Sequence, residues 1–170
     1  MTPKQFTQKY YPFALEVQRE YGINAIGILA QCAVETGWGK VVVGNMMFGV
    51  KDSDGINGNE QLLTTTEYLN TPNAKFPVII SVKQIAKNRW HYIVKDYFRK
   101  YATPADSFRD HALLFKRVAR YNVAWSNRGD YITLLKEVAK AGYSTSTGYA
   151  TTCIQVARMI EREAIALKLI

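Results

Sequence analysis

Ile28-Leu29-Ala30-Gln31-Cys32-Ala33-Val34-Glu35-Thr36-Gly37-Trp38-Gly39-Lys40 is the stretch on which the reading of this chain turns. From Ala25 to Val34 the residues are apolar or small on nearly every face, and Gln31 is the one strongly polar exception. A helix that is apolar all round belongs inside a domain. Glu35 then arrives just before Gly37 and Gly39, either of which can supply the left-handed residue that ends a helix. Glu35 is therefore expected in the last turn of a buried helix. Burial and the negative end of the helix dipole both favour the neutral carboxyl there. Both raise its pKa, as a general acid working near neutral pH requires. The residues alone leave open the alternative of an ordinary helix-end Glu turned to solvent.

Outward from this helix, the elements follow local signals. Thr2-Pro3-Lys4-Gln5 is a capping box with Pro at the first helical position. Phe6, Tyr10, Phe13, Val17 and Tyr21 recur at helical spacing, so a first helix is expected to run to about Tyr21 and stop at Gly22. Asn24 is placed to cap the helix that begins at Ala25. Gly44 to Glu60 is rich in Gly, Asn and Asp and reads as loop. Its Asp52-Ser53-Asp54 run departs from the EF-hand pattern, because Ile56 occupies a ligand position and Glu60 is wrongly spaced. No metal site and no cofactor are expected. Leu62–Leu69, Phe76–Val82 and Trp90–Phe98 read as three strands, with Lys87-Asn88 as the turn between the last two. Thr103 and Asp130 cap two further helices, the first with Phe108, Ala112 and Phe115 inward. A last helix is expected from about Tyr149 to Leu167, with Ile154, Ala157, Ile160 and Ala164 as its buried stripe. The total is five or six helices and one small antiparallel sheet.

The 170 residues suit one domain, and 48% hydrophobic content is enough for a sizeable core. No apolar run approaches the ~20 residues of a membrane span, so no membrane insertion is expected. Met1-Thr2-Pro3-Lys4-Gln5 reads as a helix start and not a signal peptide, so export is expected to use a route outside this stretch. Lys and Arg number 22 against 14 Asp and Glu, a formal charge of +8. Such a surface favours polyanions. The basic residues are scattered, and no helix-turn-helix, zinc-finger or RNA-recognition signature is present, so nucleic acid is not the expected partner. Cys32 and Cys153 lack metal spacing. They read as buried thiols, with a disulfide between their helices as the alternative.

Gln31-Cys32-Ala33-Val34-Glu35-Thr36-Gly37-Trp38-Gly39 resembles the Gln-Ala-Ala-Leu-Glu-Ser-Gly-Trp-Gly signature of glycoside hydrolase family 73, the bacterial cell-wall endo-β-N-acetylglucosaminidases. Gly44-Asn45-Met46-Met47-Phe48-Gly49-Val50-Lys51 is similar to that family's Asn-Leu-Phe-Gly-Ile-Lys. Further blocks follow in family order: Thr64-Thr65-Thr66-Glu67-Tyr68, Phe98-Arg99-Lys100-Tyr101, Ser107-Phe108-Arg109-Asp110-His111-Ala112, Ala141-Gly142-Tyr143 and Tyr149-Ala150. Cys32 replaces a usual Ala. Asn70 to Asn88 is longer than a minimal family hairpin, and Ser144-Thr145-Ser146-Thr147-Gly148 replaces the usual run before Tyr149.

The resemblance implies an α+β, lysozyme-like fold: a mainly helical body with a small antiparallel β-lobe, about residues 60–100 of a single 1–170 domain, flanking a substrate cleft. It implies a monomer that acts on peptidoglycan glycan strands at the bacterial cell wall, periplasmic or extracellular, and cleaves the β-1,4 bond after N-acetylglucosamine. Glu35 is then the acid, Glu67 the second catalytic carboxylate, and Tyr149 an assisting hydroxyl. Without the family, Glu67 reads as a solvated strand residue. Trp38, Asn45, Phe48, Tyr68 and Tyr143 are the expected substrate-binding residues. Trp38 serves equally as a core residue, and Phe48 equally as the anchor of its loop. His111 reads as a hydrogen-bonded structural residue. A muramidase or lytic transglycosylase is the runner-up in the same class. A catalytically weak wall-binding module is the alternative from another.

Overall fold

The computed structural model describes residues 1–170. In chain order the elements are α1 (Pro3–Tyr21), α2 (Ala25–Thr36), β1 (Glu60–Leu69), β2 (Val78–Ala86), β3 (Arg89–Arg99), α3 (Pro104–Arg117), a 3₁₀ turn (Ala119–Tyr121), α4 (Asn122–Ser126), α5 (Tyr131–Lys140) and α6 (Tyr149–Ala166). They form two compact units, one made of residues 1–48 with 101–170 and the other of residues 49–100.

The first unit is helical, and α2 lies at its centre, packed against α1, α5 and α6. Every residue of α2 from Ala25 to Ala33 is buried. Gly27 explains the close passage of α5: a Cβ there would come within 3.1 Å of the Tyr131 Cβ and 3.2 Å of the Leu134 Cδ2. The caps follow the sequence. The Thr2 hydroxyl accepts from the Gln5 N–H while the Gln5 side chain accepts from Thr2. The Asn24 side chain accepts from the Ile26 and Gly27 N–H groups, and Thr103 and Asp130 cap α3 and α5 in the same way. Arg109 of α3 ties that helix to α1, bonding Glu20 at 2.7 and 2.8 Å and Glu16 at 3.0 Å.

One sequence reading needs adjustment in this unit. The buried stripe of α6 is Tyr149, Cys153, Ala157, Ile160 and Ala164; Ile154 is only half-buried. Its polar neighbours Thr151 and Thr152 masked the register that the five buried residues share. The short turn and α4 carry no capping side chain, so no local signal announces them.

The second unit holds a three-stranded antiparallel sheet in the order β1-β3-β2. β3 lies in the middle, where Tyr92 and Val94 are buried. The Tyr92 hydroxyl donates to the Thr71 carbonyl at 2.7 Å, and its ring meets Phe76 at 5.7 Å. β2 runs from Val78 to Ala86, later than the Phe76–Val82 span read from sequence. Pro77 supplies the reason: it has no N–H to give to a ladder, and Phe76 is used against Tyr92 instead. The hairpin turn is Lys87-Asn88, with Asn88 at φ 55°. No helix is long and apolar enough to cross a membrane.

Candidate active site

α2 is buried up to Ala33 and opens at its end. Glu35 is exposed there, not enclosed as the apolar helix suggested, although its carboxyl is partly desolvated by its neighbours. The turn that follows is built from left-handed residues: Gly37 at φ 57°, Trp38 at φ 60° and Gly39 at φ 73°. The Thr36 hydroxyl locks this turn, donating to the Cys32 carbonyl at 2.6 Å and accepting from the Gly39 N–H at 2.9 Å. The abrupt stop places Glu35 on the final turn with its carboxyl over α6.

From α6 the Tyr149 hydroxyl donates to Glu35 Oε1 at 3.2 Å. The same hydroxyl accepts from Gln31 Nε2 at 3.1 Å. Gln31 is fully buried, and its Oε1 lies 3.3 Å from Nε2 of His111, itself buried. The lone polar residue of the apolar helix thus spends its amide joining a histidine of α3 to a tyrosine of α6.

The electrostatics follow from these surroundings. Partial burial on the protein side raises the Glu35 pKa, and the Tyr149 hydrogen bond opposes that rise. Tyr149 and Tyr143 are pushed up, chiefly by burial, and stay neutral. Burial brings His111 down to about 3, so it too is neutral at working pH. A carboxyl with a raised pKa and one oxygen held by a hydroxyl is equipped to donate a proton from the other.

The structure brings some expected site residues together and gives others different work. Tyr143 joins the cluster, its ring 5.7 Å from Tyr149 and 5.6 Å from His111. Phe48 is buried and stacks flat on His111 at 3.6 Å. Trp38 meets Phe6 edge-on at 5.5 Å. The Asn45 amide donates to the Tyr101 and Ala102 carbonyls at 3.0 and 2.9 Å, holding the segment that leads into α3.

Glu67 and Tyr68 belong to the second unit. Glu67 is on β1, where Lys51 Nζ bonds it at 2.7 Å and Asp96 at 2.9 Å. Tyr68 is 56% exposed and lies 5.2 Å from the His91 ring, with the Arg89 guanidinium over its own ring at 5.6 Å. In the Asp52–Glu60 loop, the Glu60 carboxylate accepts from the Asn57 and Gly58 N–H groups. Cys32 and Cys153 are free, buried thiols.

Sequence reasoning missed that Gln31 links His111 to Tyr149, the partner of the acid, and that Lys51, shared with Asp96, pairs with Glu67. The available signals were a single amide in an apolar helix and a histidine among aromatics.

Comparison with known proteins identifies the family and the fold. The chain is 30% identical to the peptidoglycan hydrolase FlgJ of Vibrio parahaemolyticus over 167 residues, covering 94% of this chain and 48% of that protein. It is 27% identical to the FlgJ of Pseudomonas aeruginosa, covering 92% of this chain and 36% of that one. The chain thus spans less than half the length of these curated relatives. Its fold is that of the glycoside hydrolase domain of Salmonella typhimurium FlgJ, with a TM-score of 0.75 at 22% identity over 99% of this chain and 94% of that one. That fold is mainly helical α+β with a three-stranded antiparallel sheet, of lysozyme-like type. The model of one glycoside hydrolase family, described as mannosyl-glycoprotein endo-beta-N-acetylglucosaminidase, spans residues 11–162, and so takes in every group gathered around Glu35 and Glu67: the chain belongs to the glucosaminidase family.

Proposed function

We propose that this domain hydrolyses the glycan of bacterial peptidoglycan at the β-1,4 bond that follows N-acetylglucosamine, with Glu35 as general acid. One observation carries the reading: a carboxyl at the end of a buried helix, its pKa raised by burial and its Oε1 held by Tyr149. Glycoside hydrolysis needs such an acid to protonate the leaving oxygen while an oxocarbenium-like centre develops. The relatives named peptidoglycan hydrolase supply the substrate class. The +8 charge suits an anionic wall. The place of action would then be the cell wall.

Glu67 is the proposed second carboxylate, kept beside a cation by Lys51. It serves as base, or it orients a water or the substrate's own 2-acetamido group. Tyr149 assists by holding the acid. Tyr68, exposed on β1, is the proposed sugar platform of the second unit, and Trp38, Asn45, Phe48 and Tyr143 support the first.

The test is digestion of purified sacculi followed by reducing-end analysis. N-acetylglucosamine at the new reducing ends is the expected result; N-acetylmuramic acid or its anhydro form would replace this reading with the muramidase or transglycosylase one. Glu35→Gln should lower the rate by about 10²–10⁴-fold. Sugar binding without release of fragments by the wild-type domain would leave a binding module. For Glu67→Gln, rescue by azide identifies a base or nucleophile, and residual activity without rescue identifies an orienting group.

A further inference from the structure

The hydrogen bonds behind Glu35 form a chain with a direction. Tyr149 donates to Glu35, Gln31 donates to Tyr149, and the Gln31 carbonyl oxygen is left facing His111 Nε2 at 3.3 Å. A neutral imidazole has one N–H, and which nitrogen carries it decides what the other can do. With the proton on Nε2, His111 donates to Gln31 and every bond points toward the acid. With the proton on Nδ1, Nε2 becomes an acceptor. The Gln31 amide must then turn over, the Tyr149 hydroxyl donates to Gln31, and Glu35 Oε1 loses its donor. An unpaired amide this deeply buried is costly, so the chain runs wholly one way or wholly the other.

The ring is caged in the plane this bond needs. Phe48 stacks on it at 3.6 Å and 8°, Phe115 of α3 meets it at 4.5 Å, and Tyr143 at 5.6 Å. Its own helix and two other segments thus hold a histidine that is two hydrogen-bonded groups removed from the acid.

Resting on the reading of Glu35 as the acid, we propose that His111 is a positioning residue which, through Gln31 and Tyr149, fixes the carboxyl oxygen of Glu35 that carries the transferable proton. As the Nε2–H tautomer, it commits the Tyr149 hydroxyl to Oε1, so the proton of the acid sits on Oε2. On transfer, the Oε2 proton passes to the leaving oxygen as the glycosidic bond breaks. The electron pair left on Glu35 forms a carboxylate whose Oε1 already holds a donor. The other titratable groups around Glu35 are Cys32 on its own helix, Tyr143 before α6, and Tyr149 and Cys153 on α6; burial keeps all four neutral. The donor chain is then what stabilises the carboxylate as it forms.

The test combines a spectrum with a pH profile. ¹⁵N-histidine NMR of the wild-type domain, with His91→Ala to assign the two histidines, should show His111 protonated on Nε2 only, and unchanged from pH 5 to pH 8. An Nδ1–H tautomer, or titration within that range, would overturn the proposal, and neither depends on activity. His111→Phe keeps the stacked ring and removes the donor. It should lower kcat by about 3- to 10-fold, the worth of one hydrogen bond, with KM unchanged and the basic limb of the pH–rate profile moved up. His111→Gln, which has an N–H to offer, should recover part of the loss. A melting temperature that falls while kcat and the pH profile stay as in wild type would make His111 merely structural, against the proposal. The underlying reading fails separately: it falls if Glu35→Gln remains active, whatever tautomer the spectrum shows.

Discussion

Tyr149→Phe is the sharpest probe of the acid, because the lost oxygen has two duties that separate in the measurement. Toward Glu35 it is a donor at 3.2 Å, longer than the 2.5–3.0 Å usual for O–H···O. The bond is therefore weak while the acid is protonated, and it gains strength as a carboxylate forms. A hydrogen bond to a charged group is worth about 1.5–3 kcal/mol. The resting length argues for the lower end, so kcat should fall by about 10-fold. Toward Gln31 the same oxygen is an acceptor at 3.1 Å, and Gln31 is fully buried. Leaving that N–H without a partner costs about 1–3 kcal/mol of stability, or roughly 2–12 °C in melting temperature for a chain of this size. The pH dependence has a definite sign. The Tyr149 bond lowers a Glu35 pKa that burial has raised. Its removal lets that pKa rise further, so the acid stays protonated to higher pH and the basic limb moves up. The assay is release of soluble muropeptides from sacculi across pH, with thermal unfolding in parallel. A destabilised variant with an unchanged rate and profile, or a basic limb that moves down, would refute the role given to Tyr149.

Three other outcomes are expected. Glu35→Gln should remove a pH-dependent loss of stability: the folded pKa is raised, so wild type loses stability as pH rises through it, whereas the variant's melting temperature should stay level over that window. Arg109→Met should lower the melting temperature at pH 7 and converge with wild type in acid. The Arg109 hydrogen bond holds its partner Glu20 below the ordinary carboxylate pKa, a contribution present above the usual carboxylate range and lost as pH falls through the folded pKa. Binding to sacculi should weaken between about 20 and about 500 mM salt, which shortens the screening length from well above 10 Å to well below it; undiminished binding would point to stacking and hydrogen bonds instead of the +8 charge.

What could be read from the sequence was whatever neighbouring residues decide between themselves. Thr2 with Gln5, Asn24 with Gly27 and Thr103 with Asp106 settle their helix starts within three residues. The apolar run of α2, with Gly37 after it, gave the central helix and its carboxylate. The partnerships that make Glu35 more than a helix-end residue are not local. Gln31 meets His111 across 80 positions and Tyr149 across 118. An isolated Gln and an isolated His carry no mark of being joined, and Tyr149 stands out among 11 tyrosines only through the family resemblance. Lys51, Glu67 and Asp96 are likewise assembled only by strand register. The exposure of Glu35 has a related reason: within the last turn of α2 Thr36 faces the packed helices and is buried, while Glu35, one residue earlier, faces outward.

The two thiols carry a consequence for where such a domain can be made and used. Cys32 and Cys153 lie on packed helices and are unbonded. Burial pushes the Cys153 thiol up to about 11 and Cys32 higher still. Near neutral pH little of either thiol is the thiolate that attacks a disulfide or an oxidant. The fold needs no covalent link between them and offers little purchase for forming one. The same covalent structure is therefore compatible with reducing and with oxidising surroundings.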